Sequence, residues 1–332
     1  MMGTVEMARH DFAGRTDPMG TRVLPAVDAE TAARAGLAEG LNGHPFKRIQ
    51  VNGAELAYVE VGTGQPIVLV HGGFNDLTIW EQQVPALAER YRAIAYSRRY
   101  AWPNEEIPDG VADEADAHAD DLACLLQTLE LGPAHLVGHS YGAGICMIAA
   151  LRQPELVRTL VLMEPGMVPS LSMPPRPPEL LKLLLTRPRL GKAMIGFWTK
   201  FAPSTAALKR GDTEQAIRVS VDWLSLEPSF YDRLPGEVKR HLGANSKILR
   251  SIFLGKGAPP FGEDNVRRIS QPTLLVTGER SHAYIQRTTD LLANLLPNVQ
   301  RAVVPNAAHT LQFQNSAGLN QAILGFLDRY DN

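Results

Sequence analysis

The chain has 332 residues, a formal net charge of -2, and hydrophobic and charged fractions of 45% and 20%, which are the proportions of an ordinary globular protein. This near-neutral charge gives no basis for a nucleic-acid or anionic-membrane partner, and no apolar run near the N-terminus is long enough for a secretory or membrane-spanning segment. We therefore expect a cytoplasmic protein with neither partner, in which Cys124 and Cys146, set among apolar neighbours, are buried, reduced thiols.

The first 45 residues form an N-terminal arm with little regular pattern, apart from a short helix predicted over 28–41. The pattern becomes regular after this arm. Two strands are predicted at 46–51 and 55–62, and the dipeptide Asn52-Gly53 between them is typical of a hairpin turn.

Strands and helices then alternate along the chain. Short apolar runs predict strands at 66–73, 91–97, 134–139 and 157–164. Helices are predicted at 76–90, with Asp76 as N-cap, at 112–131 and at 141–154. This order is typical of an α/β fold with a doubly wound, mostly parallel sheet.

The alternation stops between residues 166 and 265, where helical segments and Pro-rich breaks replace it. It resumes with strands at 273–279 and 299–305 and helices at 283–296 and 316–329. We therefore predict an α/β core made of residues 46–165 and 266–332, with residues 166–265 inserted as a helical cap.

The pentapeptide Gly138-His139-Ser140-Tyr141-Gly142 matches the pattern G-x-S-x-G and lies between a predicted strand and a predicted helix. A nucleophilic serine in this position sits on a tight, strained turn, and the glycines leave room for the turn and for close packing of the helix on the strand. Ser140 is therefore the candidate nucleophile.

A serine nucleophile needs an oxyanion site and a base. Two convergent backbone N–H groups would bind the oxyanion, one from Tyr141 and the other from the turn after the strand 66–73, at Gly73 or Phe74. Among the nine histidines, His309 follows the last strand, which is where the chain order Ser…acid…His places the base.

With these motifs together, residues 46–332 resemble the α/β-hydrolase-fold serine hydrolases that carry a helical cap. The resemblance rests on the segments LVHGGF, GHSYG, VLMEPG, TLLVTGE and PNAAH. It implies the α/β-hydrolase fold and a Ser–His pair, without indicating a substrate.

The chain departs from the family at the catalytic acid. Most members carry an aspartate a few residues after the strand that corresponds to 273–279, and here Ser281 occupies that position. A minority take the acid from the end of the preceding strand of the sheet, which is Glu164 here. A carboxylate that ends a buried strand needs a partner, and a charging His309 would supply one. Glu164 is therefore the predicted acid, with Glu279 as the alternative.

The predicted chemistry is hydrolysis of a hydrophobic carboxylic ester or lactone through an acyl-enzyme, with no cofactor and no metal. The cap would cover Ser140, and Met167, Trp198 and Trp223 are its candidate substrate-binding residues. Arg98 or Arg99 could meet a substrate carboxylate, but both are expected to form surface or structural ion pairs. Carbon–carbon or amide hydrolysis on the same residues, and a non-catalytic ligand receptor of this fold, remain alternatives, and the oligomeric state is left open.

Overall fold

A computed structural model describes residues 40–172, 175–254 and 261–331. Its main sheet has eight strands in the order β10-β9-β8-β7-β5-β6-β4-β3. These strands are β3 (Lys47–Val51), β4 (Ala54–Val61), β5 (Pro66–Val70), β6 (Arg92–Tyr96), β7 (Ala134–His139), β8 (Val157–Met163), β9 (Thr273–Gly278) and β10 (Val299–Val304). A separate two-stranded hairpin pairs β1 (Gly40–Leu41) with β2 (His44–Pro45).

The strand directions confirm the predicted mostly parallel sheet. β4 runs antiparallel to both of its neighbours, and every other pair in the main sheet is parallel. The predicted turn between β3 and β4 is also confirmed, because Val51 pairs with Ala54 and both intervening residues have positive φ, 44° at Asn52 and 74° at Gly53.

The helices of the α/β core are α1 (Val84–Ala88), α2 (Ala115–Thr128), α3 (Tyr141–Arg152), α11 (Ala283–Leu295), α12 (Leu311–Gln314) and α13 (Ser316–Leu327). Helices α4 to α10 lie between β8 and β9: Pro177–Thr186, Pro188–Arg210, Thr213–Ser225, Phe230–Arg233, Gly236–Ala244, Ser246–Leu254 and Glu263–Arg267. No strand occurs in that insertion within residues 166–172, 175–254 and 261–265.

The helix predicted at 76–90 is wrong in its extent. The structure has a 3₁₀ turn at Leu77–Trp80 and then the short helix α1. Pro85 explains the break, because it has no N–H to donate to the carbonyl four residues earlier. Asp76 does act as a cap, since its side chain accepts a hydrogen bond from the backbone N–H of Thr78 at 2.9 Å.

Both faces of the main sheet are covered. Along β5, Val68 and Val70 pack into the core beneath α2 and α3, while Ile67 and Leu69 pack into the core beneath α1 and α13. Alternate residues of one strand point to opposite faces, so a parallel sheet buried on both sides reads as a continuous apolar run. The continuous apolar run of β5 therefore predicted a buried strand from the sequence.

The inserted helices hold a further apolar cluster, which includes Ala207, Ile217 and Leu249. Within the three described ranges, none of the helices has the length and apolar character that crossing a membrane requires. Both cysteines are free, as predicted, but only Cys146 is buried, because Cys124 lies partly exposed on α2. The helix predicted over 28–41 falls almost entirely outside the described residues.

Candidate active site

Ser140 lies on a tight turn between β7 and α3. Its φ of 54° and ψ of -112° are an unusual conformation for a residue other than glycine, and its N–H donates to the carbonyl of Met163 at 2.9 Å. The helix behind the turn packs closely on the sheet, because a Cβ on Gly142 would lie 2.3 Å from the carbonyl oxygen of Val70. Close packing therefore requires glycine here and holds the serine in a strained conformation.

His309 lies between Ser140 and Glu164. Its Nε2 is 3.0 Å from Oγ of Ser140, and its Nδ1 is 3.1 Å from Oε2 of Glu164. The histidine and the carboxylate are largely shielded from water, since the His309 side chain is 5% exposed and that of Glu164 is fully buried. The arrangement can move a proton from a serine hydroxyl to a histidine whose positive charge a carboxylate stabilises.

Glu164 directly follows β8 and has a positive φ of 48°. Its Oε1 accepts a hydrogen bond from the backbone N–H of Gly278 at 2.7 Å and another from the hydroxyl of Ser281. The alternative carboxylate, Glu279, instead accepts from the backbone N–H of Asn306 at 2.9 Å. The residue at the family's usual acid position thus donates to Glu164, and Glu164 is the carboxylate that lies beside the histidine.

The three predicted oxyanion residues, Gly73, Phe74 and Tyr141, line the same cavity as Ser140. A Cβ on Gly72 would lie 3.5 Å from Cβ of Ser140, so the turn that carries Gly73 lies directly against the serine. Within the described ranges, the N–H groups of all three residues donate to no protein acceptor. They can therefore donate to an oxyanion on a carbon bound to Ser140.

The cavity above Ser140 has a volume of about 510 Å³. Its wall includes a group of aromatic side chains from the inserted helices, among them Phe197, Trp198, Phe201 and Phe253. None of the described residues that line it is a lysine or an arginine, whereas Glu81 and Glu237 are among them. The described wall is therefore mainly apolar and carries carboxylates rather than basic side chains.

Of the three predicted substrate-binding residues, only Trp198 is among the described residues that line this cavity. Trp223 instead packs against His282, the residue before α11, with ring centroids 4.2 Å apart, and so joins the insertion to the core. Met167 lies against α3, where a Cβ on Gly144 would come 2.5 Å from its terminal methyl carbon. These two side chains thus hold the insertion on the core.

Arg98 and Arg99 lie close to Asp113 and Asp121 respectively, as expected of structural ion pairs.

Two features of the cavity were not found from the sequence. His139 lines it, and the Nε2 of its ring lies 2.9 Å from the carbonyl oxygen of His309. Burial and, to a smaller extent, the charge of nearby His309 lower the pKa of His139 to about 3, so His139 is neutral and its ring N–H donates to the backbone carbonyl of His309. The hairpin residues Gly40–Gly43 form another part of the wall. The sequence placed them in the N-terminal arm without indicating that they reach the cavity.

A family model described as the alpha/beta hydrolase fold matches residues 65–316. The chain therefore belongs to the α/β-hydrolase family, and with this fold and site it is a hydrolase.

Relatives in this family carry several hydrolytic activities. The chain is 26% identical, over 85% of its length and 95% of the relative, to 2-(acetamidomethylene)succinate hydrolase of Mesorhizobium japonicum. It is 29% identical, over 86% of its length and 95% of the relative, to 2-hydroxy-6-oxononadienedioate/2-hydroxy-6-oxononatrienedioate hydrolase of Burkholderia vietnamiensis. A solved structure of a thermophilic esterase from Thermogutta terrifontis, with malate bound, superposes with a TM-score of 0.69 at 24% identity, covering 86% of this chain and 100% of that one.

Proposed function

We propose that the protein hydrolyses an uncharged, hydrophobic carboxylic ester or lactone through an acyl-enzyme on Ser140, with His309 as general base and Glu164 as the acid of the triad. The observation that carries the proposal is the position of His309, with its two ring nitrogens 3.0 Å from Ser140 Oγ and 3.1 Å from Glu164 Oε2. Nucleophile, base and orienting acid at such distances are the geometric signature of nucleophilic acyl transfer.

The proposed reaction has two halves. His309 Nε2 takes the proton of Ser140 Oγ as the oxygen bonds to the carbonyl carbon, and the oxyanion accepts from the N–H of Tyr141 and from that of Gly73 or Phe74. The C–O bond to the alcohol then breaks, and the alcohol leaves with the proton of His309. Water then adds to the acyl carbon as its proton passes to His309, and His309 returns that proton to Ser140 Oγ as the acyl C–O bond breaks and the acid leaves.

Glu164 supports both halves by its charge and position. It accepts the hydrogen bond of His309 Nδ1–H, which fixes the tautomer that leaves Nε2 free to take a proton. Its other oxygen is already held by Gly278 and Ser281, so the carboxylate cannot turn away from the ring.

The charge of the cavity supports an uncharged substrate. The names of both sequence relatives contain a dicarboxylate, succinate in one and a dienedioate or trienedioate in the other. A dianion bound in a largely apolar cavity needs cationic partners, yet no lysine or arginine occurs among the described residues that line this one, and Glu81 and Glu237 do. Neither relative is named as an esterase, and hydrolysis of a carbon–carbon or amide bond by the same three residues is therefore the second candidate.

The experiment is labelling with a fluorophosphonate, followed by a substrate panel. Wild-type protein should become labelled and Ser140→Ala should not, and hydrolysis should favour neutral aryl esters and lactones over their carboxylate-bearing analogues. Absence of labelling would contradict a serine nucleophile and favour the receptor alternative. Labelling together with a preference for amides, carbon–carbon substrates or dicarboxylates would leave the nucleophile standing and refute the proposed substrate class.

A further inference from the structure

A buried arginine lies behind the turn that carries the candidate oxyanion donors. Arg98 follows β6, and its side chain has no exposed surface. Its Nη2 donates to the carbonyl oxygen of Gly72 at 3.0 Å and to that of Gly73 at 2.7 Å. Within the described chain, Nε and Nη1 have no hydrogen-bond partner, so the hydrogen bonds of this guanidinium all go to the turn.

These two bonds set the direction of the oxyanion donors. In a trans peptide the carbonyl of one residue and the N–H of the next point in opposite directions. With the carbonyls of Gly72 and Gly73 drawn toward Arg98, the N–H groups of Gly73 and Phe74 are turned away from it. Ser140 lies against the same turn, with its Cβ 3.5 Å from the position of a Cβ on Gly72.

A histidine holds the same turn. The backbone N–H of Arg98 donates to Nε2 of His71 at 2.9 Å, so the ring proton of this histidine is on Nδ1, which lies 2.9 Å from the carbonyl oxygen of Gly72. Burial, and then the charge of Arg98, lower the pKa of His71, which keeps the ring neutral and in this tautomer. The Gly72 carbonyl therefore accepts from two buried donors.

The other oxyanion donor is tied to the same arginine. The ring of Tyr141 lies 5.1 Å from the guanidinium carbon of Arg98, and its hydroxyl donates to the carbonyl oxygen of Asp113 at 2.9 Å. The buried carboxylate of Asp113 lies 3.6 Å from Arg98 and 2.6 Å from Nε2 of His118, and so balances the buried positive charge.

We propose that Arg98 is a positioning residue for the oxyanion site, which fixes two successive peptide planes of the turn and, through Tyr141, the donor on the opposite side. The proposal rests on the proposed function, because an oxyanion forms only if Ser140 attacks a carbonyl. Arginine suits this role because the guanidinium stays charged, is rigid, and carries two hydrogens on a single terminal nitrogen.

The test compares Arg98→Gln and Arg98→Lys with a matched control, Arg99→Gln. Arg99 also pairs with a buried carboxylate, that of Asp121 at 2.6 Å, but has no contact with the turn. Each protein is titrated with a fluorophosphonate, and kcat for p-nitrophenyl butyrate is expressed per titrated serine, so that partial unfolding does not enter the rate. The second readout is Ki for an aryl trifluoromethyl ketone, whose adduct with Ser140 places an anionic oxygen in the oxyanion site.

We expect Arg98→Gln to lower kcat about 100-fold, the effect of losing an oxyanion donor, with KM changed less than threefold. Ki for the ketone should rise by the same factor as kcat/KM falls, because both report binding of the oxyanion. Arg98→Lys keeps the charge on a shorter side chain and should lose about 10-fold, and Arg99→Gln should change neither value more than twofold.

The proposal is overturned if Arg98→Gln, or Arg98→Lys should the first not fold, keeps kcat within threefold of wild type. It is also overturned if kcat falls while Ki for the ketone does not change, since that pattern indicates a purely structural effect. Wild-type protein that fails to react with the fluorophosphonate would refute the proposed function itself and this role with it.

Discussion

Glu164→Gln is the sharpest test of the candidate triad. The substitution keeps the shape of the side chain, so its carbonyl oxygen can still accept from Gly278 N–H and from Ser281, which now hold Oε1. The amide NH₂ then faces Nδ1 of His309, where Oε2 of the carboxylate stands at 3.1 Å. An NH₂ group can only donate, so Nδ1 must accept and the ring proton moves to Nε2, opposite Ser140.

A histidine with its proton on Nε2 cannot take the proton of the serine, and it has also lost the charge that stabilises its imidazolium form. A change of this kind lowers kcat by about 10⁴-fold in a Ser-His-Asp enzyme, which is about 5 kcal/mol of transition-state stabilisation. We expect a loss of 10³- to 10⁴-fold here, within that order of magnitude, with KM little changed.

The assay is kcat per fluorophosphonate-titrated serine on a good aryl ester, with melting temperature as a check on folding. Glu279→Gln is the matched control, because its carboxylate accepts from the Asn306 backbone N–H and, among the described residues, makes no contact with Ser140 or His309. It should stay within about twofold of wild type. A Glu164→Gln protein that keeps more than a tenth of the wild-type kcat, or a larger loss in Glu279→Gln, would refute the assignment.

Two further predictions concern stability. Gly142→Ala should lower the free energy of unfolding by about 3 kcal/mol or more, because the new Cβ would lie 2.3 Å from the Val70 carbonyl oxygen. Urea denaturation measures the change, and an unchanged midpoint would contradict close packing of the helix on the sheet at Gly142. His135→Gln should make the free energy of unfolding less sensitive to acid, because burial lowers the pKa of His135 from 6.5 to about 4 in the folded protein. Between pH 6.5 and pH 4 the unfolded chain therefore binds a proton that the folded chain does not. Through this residue the wild type should lose about 3 kcal/mol of its free energy of unfolding over that range. Parallel denaturation series at pH 7 and pH 4 measure the difference, and equal losses in both proteins would count against it.

The sheet was predictable because its signal is local. A buried parallel strand such as Pro66–Val70 is an uninterrupted apolar run, and the elbow around Ser140 needs glycines at fixed spacings. Three kinds of prediction remain predictions: the roles of Ser140, His309 and Glu164, the cap boundaries and the cytoplasmic location. For the three site residues the structure adds the distances between their side chains. The missing aspartate at Ser281 was the signal that pointed to Glu164.

Other features depend on neighbours far away in the sequence. Nothing near Trp223 distinguishes a side chain that packs on His282 from one that lines the cavity, since both are apolar positions on amphipathic helices. The position of His139 beside His309 depends likewise on a hydrogen bond between residues 170 positions apart. The break after Trp80 did have a local signal in Pro85. The helical pattern on both sides of this proline nevertheless favoured a single continuous helix.

The short hairpin at Gly40–Pro45 has a practical consequence. It lies upstream of residues 65–316, the part that matches the family, yet Gly40–Gly43 form part of the cavity wall, and the Asn42 amide is fastened to the carbonyl of Glu81 at 2.9 Å. A gene fragment that began at residue 46 would keep all eight strands of the main sheet and still encode a protein with one side of this cavity opened to water.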